Sequence, residues 1–232
     1  MVPMVEPITI VTLDTAAGLG KATATCTDGK VVKITLDMPA AFVAKRDAVL
    51  DTAEWGEISY DLCFGGVFYA LVDVGQIGLA ITPDNARQLA TIGVDLRNRI
   101  AATEPARHPV TPALDGLSYV MFFAEEPDGS LRTCTTLRPG RADRSPCGTG
   151  SNSSMAARHA RGRAKPGDVV ISRSIIGGEF TTELIAETTV GPYAATMNRV
   201  SGQGWIYGFS QICLDPTDPF PLGFTLSDTW GG

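Results

Sequence analysis

Apolar and polar positions along the first forty residues recur with the period of β-strands. The run 8–13 is mostly apolar, which predicts a well-buried strand. Two further strands, 21–27 and 30–36, flank the dipeptide Asp28-Gly29, which is typical of hairpin turns. The beginning of the chain is therefore expected to be sheet.

The middle of the first half predicts a strand followed by a helix. Gly65-Gly66 precedes the apolar run 67–74, which predicts a buried strand. Thr82 is a plausible N-cap and Pro83 a plausible first helical residue. Apolar residues then recur at steps of three and four and form one stripe along the helix, namely Leu89, Ile92, Leu96 and Ile100. The helix is expected to end at Glu104-Pro105.

The second half again predicts mainly strands. Residues 105–112 contain three prolines and read as a linker. The expected strands are 117–124, 131–137, 168–174, 180–187, 193–200 and 205–214, and residues 215–219 are expected to form a turn. A helix is predicted over 152–161, and its small residues suit a helix that lies deep inside a surrounding sheet.

Length and charge narrow the function classes. A chain of 232 residues that is 44% hydrophobic can bury a substantial core. The net charge of −6 argues against a nucleic-acid partner and against a polybasic membrane surface. Without a long apolar run or a basic leader at Met1, we expect no membrane association and a cytoplasmic protein.

The cysteines point away from disulfides and metal sites. They are five and widely scattered, namely Cys26, Cys63, Cys134, Cys147 and Cys213. No C-x-x-C pair occurs, and His108 and His159 are the two histidines, so no metal site is predicted. All except Cys147 are expected to be small buried hydrophobes in strands.

The segment 143–150, D-R-S-P-C-G-T-G, carries the candidate chemistry. Cys147 stands before a glycine-rich turn that opens a helix, where the helix dipole favours a thiolate. The unpaired N–H groups of the same turn can hold a carboxylate. Asp143 is either an anionic partner for a substrate ammonium or a turn residue.

Two mechanisms use such a cysteine. A hydrolase pairs it with a histidine, but both histidines are poorly placed along the chain. A racemase or epimerase removes the α-proton on one face of an amino acid and returns a proton on the other, for which thiol and thiolate are suited and no cofactor is needed.

Several motifs together resemble the proline racemase superfamily, which includes 4-hydroxyproline epimerases and trans-3-hydroxyproline dehydratases. The motifs lie at 14–19, 65–70, 143–150, 165–168, 172–177 and 215–220. The resemblance implies a mixed α/β, two-lobed fold like that of diaminopimelate epimerase, in which each lobe is a curved sheet around a central helix. The first lobe would comprise 1–104 and 205–232, and the second 113–204.

The resemblance also implies roles for the site residues. Cys147 would be the catalytic cysteine of the second lobe, Asp143 would hold the ring ammonium, and the backbone N–H groups of Gly148 and Thr149 would bind the carboxylate. Dehydratases of the family carry Thr at the position of Cys147, so the cysteine favours a racemase or epimerase of proline or 4-hydroxyproline.

The chain departs from the family in two respects: Val67 stands where the family usually has Asn, and the C-G-H-G sequence that carries the first-lobe cysteine does not occur. We therefore expect a first lobe without its N-terminal part and a chain that is inactive alone. The alternatives are diaminopimelate epimerase, which has an A-C-G-T-G turn, and a non-catalytic relative that binds a cyclic imino acid. The expected partner is a small-molecule substrate; the oligomeric state is open, a homodimer being the commonest form.

Overall fold

Strands dominate the architecture. The computed structural model describes residues 2–15 and 18–223. Within these ranges the strands are β1 (Ile8–Thr15), β2 (Gly18–Thr27), β3 (Lys30–Asp37), β4 (Ala41–Thr52), β5 (Gly56–Phe64), β6 (Phe68–Asp73), β7 (Leu117–Glu125), β8 (Leu131–Leu137), β9 (Arg141–Ala142), β10 (Val169–Ser174), β11 (Glu179–Val190) and β12 (Tyr193–Gly202). The α-helices are α1 (Ala86–Thr103) and α2 (Gly148–Ala160).

Eight of the described strands form a closed ring. Neighbours hydrogen-bond in the order β12, β11, β10, β8, β7, β6, β5 and β4, and β4 returns to β12 through the pair Phe42 and Ala195. The pairs β6–β7 and β8–β10 are parallel, and the other pairs of the ring are antiparallel. Strands β1 to β3 form an antiparallel ribbon that joins the ring through β3 and β12. The mixed α/β class with a curved sheet around a helix is confirmed.

Helix α2 is the central element of the ring. It packs against β4, β5, β6, β11 and β12, and every residue from 150 to 157 is buried. A Cβ atom at Gly150 would lie 2.6 Å from Sδ of Met121, so a larger residue would require that side chain to move. The predicted deep, small-residue helix is confirmed, although it begins at Gly148 rather than at 152, because Gly and Ser are weak helix formers that conceal the first turn.

Helix α1 covers the other face of the sheet. Its predicted stripe Leu89, Ile92, Leu96 and Ile100 is buried in the main core, and the helix packs against β7, β8 and β9. Its end at Thr103, capped by Glu104, is as predicted, while Pro83 lies in a short 3₁₀ turn before it. Alternate residues of β6 point to the two faces of the sheet. Val72 packs in the core that contains the α1 stripe, whereas Leu71 packs in the buried cluster that contains Cys147 and Ala157.

The sequence pattern located most strands. The hairpin at Asp28 and Gly29 is present, with φ of 51° and 71°, and residues 215–219 contain a turn. The pattern missed β4 and β5, whose pairing contains register shifts and the positive φ of Asp47. Such bulges interrupt the alternation from which strands are recognised.

Two predictions are wrong. The run 8–13 is a strand, but Ile10 is 57% exposed, so it is not well buried. Residues 205–214 form no strand, and Trp205 and Phe209 are largely exposed. In both cases the apolar residues lack a covering element within the described parts of the chain, and an apolar pattern alone does not supply one.

The ring contains strands from both predicted lobes, since β4 to β6 precede residue 104 and β7 to β12 follow residue 113. The division into 1–104 with 205–232 and 113–204 stays a prediction. Residues 1, 16, 17 and 224–232 of the predicted first lobe, and so part of the 14–19 motif, lie outside the described residues.

Candidate active site

Cys147 lies at the N-cap of α2 in an unusual backbone conformation. Its φ of 67° and ψ of 111° are rare for a residue with a side chain. Its N–H donates to Oγ of Ser145 at 3.1 Å, and its carbonyl accepts the first helical bond from Ser151 at 2.8 Å. Strained conformations of this kind cost about 1–3 kcal/mol and cluster at functional sites.

Asp143 shapes the turn that leads to Cys147. Its Oδ1 accepts a hydrogen bond from the N–H of Ser145 at 2.8 Å, and its own N–H donates to the carbonyl of Thr135 at 2.8 Å. Asp143 thus holds the backbone of Ser145, and the side chain of Ser145 in turn holds the backbone of Cys147. The turn function considered for Asp143 is observed, and the residue is half-buried.

The first turn of α2 presents unused donors. The N–H groups of Gly148 and Thr149 precede the first helical hydrogen bond, and within the described residues neither has an acceptor. Both residues are half-buried beside Cys147. Unpaired N–H groups together with the positive end of the helix dipole attract an anion such as a carboxylate.

Tyr69 on β6 contacts the cysteine directly. Its Oη lies 3.2 Å from Sγ of Cys147 and 2.6 Å from Oγ1 of Thr149. The side chain is fully buried, and burial raises the pKa of Tyr69 well above its usual range, with Cys147 adding to the effect. The sequence interpretation assigned Tyr69 to a buried strand and gave it no role; a lone hydroxyl in an otherwise apolar run was the available signal.

The diglycine before β6 presses against the first turn of α2. A Cβ at Gly65 would lie 2.3 Å from the carbonyl oxygen of Thr149 and 2.4 Å from Oγ of Ser153. At Gly66, where φ is 128°, a Cβ would lie 2.8 Å from Cγ2 of Thr149. The two glycines are therefore needed for the close approach that brings β6, and with it Tyr69, to the cysteine.

Two cavities lie near the ends of α2. An open cleft of about 880 Å³ borders the turn before Cys147, with Arg144, Ser145 and Pro146 in its wall. A smaller pocket of about 190 Å³ lies at the other end, beside Arg158 and Arg161. The Cys147 thiol and the unpaired N–H groups belong to the first end, so we place the candidate site there.

Among the described residues, neither another cysteine nor a histidine forms a catalytic pair with Cys147. Burial raises the pKa of Cys134 to about 12 and also raises that of Cys63. Cys26 is buried in β2, but Cys213 is exposed outside any strand, so the buried-strand prediction is wrong for Cys213.

His159 contacts the carbonyl of Ala164, and His108 accepts backbone N–H groups in its own loop. Within the described ranges neither histidine contacts Cys147, and no group of three or more His, Cys, Asp or Glu side chains could hold a metal ion. No helix in these ranges is long and apolar enough to cross a membrane.

Comparison with known proteins decides the family. The proline racemase family model matches residues 1–225. The chain belongs to the proline racemase family. This membership confirms the resemblance and excludes the diaminopimelate epimerase alternative.

Similar members of the family are epimerases by name. The chain is 54% identical to 4-hydroxyproline 2-epimerase 1 of Rhizobium rhizogenes and 53% identical to 4-hydroxyproline 2-epimerase of Rhizobium etli, in each case over 100% of this chain and 67% of the relative. A solved hydroxyproline epimerase from Agrobacterium vitis, with bound trans-4-hydroxy-L-proline, is 52% identical with a TM-score of 0.91 over 99% of this chain and 66% of that one. The chain thus spans about two thirds of the length of these proteins.

A second solved structure agrees. A probable proline racemase from Agrobacterium radiobacter with bound carbonate is 54% identical and superimposes with a TM-score of 0.90 over 100% of this chain and 68% of that one. At this similarity the fold described above is shared with these two solved structures.

Proposed function

We propose that this chain supplies one half of the proton-transfer site of a proline racemase or 4-hydroxyproline epimerase. The observation that carries the proposal is Cys147 at the strained N-cap of α2, beside the unpaired N–H groups of Gly148 and Thr149. Membership of the proline racemase family and the names of the similar relatives support the racemase or epimerase class.

The proposed reaction begins with binding of the zwitterionic imino acid. Its carboxylate accepts hydrogen bonds from the N–H groups of Gly148 and Thr149, and the carboxylate of Asp143 faces the ring ammonium. The Cys147 thiolate then takes the proton from the α-carbon. The C–H electron pair stays on that carbon, next to a carboxylate whose charge the two N–H groups offset.

Inversion requires a proton from the opposite face. In the proposed two-cysteine scheme a second thiol delivers it, and the roles reverse for the other enantiomer, so that protons balance without a metal or cofactor. The sequence contains no C-G-H-G motif for that thiol. Because the family motif for the second thiol is not in the sequence, a binder of cyclic imino acids without turnover is the second candidate function.

Polarimetry and a binding titration test the proposal together. The purified chain is incubated with trans-4-hydroxy-L-proline while optical rotation is followed, and pyrrole-2-carboxylate is titrated in parallel. We expect binding and constant rotation, with a family member that contains C-G-H-G as the positive control. Turnover abolished by Cys147→Ser would refute the half-site scheme, and absence of binding would count against an imino-acid site.

A further inference from the structure

The buried hydroxyl of Tyr69 and the half-buried hydroxyl of Thr149 lie behind the candidate cysteine, on the side formed by β6 rather than by the cleft. Oη of Tyr69 contacts both Sγ of Cys147 at 3.2 Å and Oγ1 of Thr149 at 2.6 Å, whereas Sγ and Oγ1 are 3.9 Å apart. A phenol has one hydrogen to donate, so Tyr69 can donate to one of these neighbours while it accepts from the other.

The state of Cys147 decides which way the hydrogens point. A thiolate accepts hydrogen bonds and cannot donate one, so Tyr69 then donates to sulfur and Thr149 donates to Tyr69. Once sulfur carries a proton, the Tyr69 hydroxyl can turn to Oγ1 of Thr149 instead. Complete burial raises the pKa of Tyr69, which favours the protonated phenol in both states.

We propose that Tyr69 is a positioning residue that stabilises the thiolate of Cys147 by donating its O–H to Sγ, with the Thr149 hydroxyl orienting that O–H. Its part in catalysis rests on the proposed function. A hydrogen bond to an ionised acceptor is shorter and stronger than one between neutral groups, so the pair favours the thiolate over the thiol.

Other titratable groups surround the site and must be separated from Tyr69. The ring centroid of Tyr119 on β7 lies 5.6 Å from that of Tyr69. Cys63 on β5 belongs to the buried cluster that contains Tyr69 and Cys147. Asp143 reaches the cysteine backbone through Ser145. Among these groups, Tyr69 is the one with an O–H in direct contact with Sγ.

Alkylation of Cys147 by iodoacetamide tests the proposal without requiring turnover. All variants carry Cys213→Ser, because Cys213 is the exposed thiol of the described chain. The rate is measured against pH for the parent, Tyr69→Phe and Tyr119→Phe. Tyr69→Phe keeps the packed ring and removes the hydroxyl, whereas Tyr119→Phe removes a neighbouring hydroxyl that does not contact Cys147.

We expect Tyr69→Phe to raise the midpoint of the alkylation profile by about one pH unit. Tyr119→Phe should leave the midpoint unchanged. An unchanged midpoint in Tyr69→Phe, with the native circular dichroism spectrum, would overturn the proposal. Mass spectrometry confirms that the label is on Cys147.

A pair of variants at Thr149 keeps the test decisive if Tyr69→Phe does not fold. Thr149→Ser retains the orienting hydroxyl, and Thr149→Val removes it at nearly the same volume. The proposal expects the parent midpoint for serine and a raised midpoint for valine, and equal midpoints for the two would contradict it. A shifted midpoint without imino-acid binding would refute the proposed function alone, whereas binding with an unshifted midpoint would refute the role of Tyr69 alone.

Discussion

Asn198 on β12 donates a hydrogen bond from Nδ2 to Oδ1 of Asn152 on α2 over 2.7 Å, and both side chains are buried. Nδ2 of Asn152 in turn donates to the carbonyl oxygens of Pro39 and Gly65 at 2.9 and 3.0 Å. One amide thus connects the central helix to β12 and to the segments before β4 and β6. This junction fixes the first turns of α2, on which the candidate site is built.

Replacing Asn152 by Ala should destabilise the fold strongly. The substitution removes two donors and leaves the buried carbonyl of Gly65 without its partner, and an unsatisfied buried polar group costs about 1–3 kcal/mol. We expect a loss of about 3 kcal/mol in the free energy of unfolding, measured by urea denaturation. Asn98→Ala on the exposed face of α1 is the matched control and should change stability little. Similar midpoints for both variants would show that the junction is dispensable.

Gly65→Ala should be as damaging, for a steric reason. The added methyl group would meet the backbone oxygen of Thr149 at 2.3 Å, and a helix backbone cannot yield as a flexible side chain does. Overpacking of this kind costs about 1–3 kcal/mol or more. The free energy of unfolding and the rate of Cys147 alkylation should therefore both change. Gly204→Ala, where no atom lies within 4 Å of the new Cβ, should change neither.

The free energy of unfolding should decrease at acidic pH because of His108. Its ring packs against Phe64 at a centroid distance of 4.6 Å, and Nδ1 accepts the N–H of Thr111 at 3.0 Å. Burial lowers the pKa of His108, an effect that Asp115 partly opposes, so the folded chain binds this proton less readily than the unfolded chain does. The stabilisation is complete above the unfolded pKa of about 6.5 and is lost as the pH falls below it.

Melting temperatures between pH 7.5 and 5 measure this effect, with the span set by the reference value of histidine at about 6.5. His108→Asn keeps an acceptor for the backbone N–H groups and does not titrate. The difference in Tm between the parent and this variant should therefore shrink or reverse toward pH 5. A difference that does not depend on pH would contradict the assignment.

The elements that the sequence located are those with a local signal. The stripe that ends at Ile100 and the turn at Asp28 and Gly29 are both decided within a few neighbouring residues. That a helix follows the glycine-rich turn after Cys147 is equally local, although the pattern predicts its start at 152 rather than at Gly148. Such features require no knowledge of the rest of the fold.

What the sequence could not locate depends on contacts distant along the chain. Tyr69 meets Cys147 across 78 positions, and Asn198 meets Asn152 across 46, with no local pattern that pairs them. The apolar run that begins at Trp205 is instead a strand predicted where none exists. Its composition suits a strand, but no described strand pairs with it. Which side chains meet, and which apolar residues are covered by another element, depends on the assembled sheet and is therefore seen only in the structure.

Asp143→Asn separates the turn function of this residue from its proposed contact with a substrate ammonium. The amide oxygen of asparagine can still accept the N–H of Ser145, so the turn and the fold should be retained. Loss of the negative charge should weaken binding of 4-hydroxyproline, which carries an ammonium, by about tenfold or more. Pyrrole-2-carboxylate carries no ammonium, so its affinity should change far less, and isothermal titration with both ligands measures the contrast. Equal losses for the two ligands would mean that Asp143 acts through the shape of the turn alone.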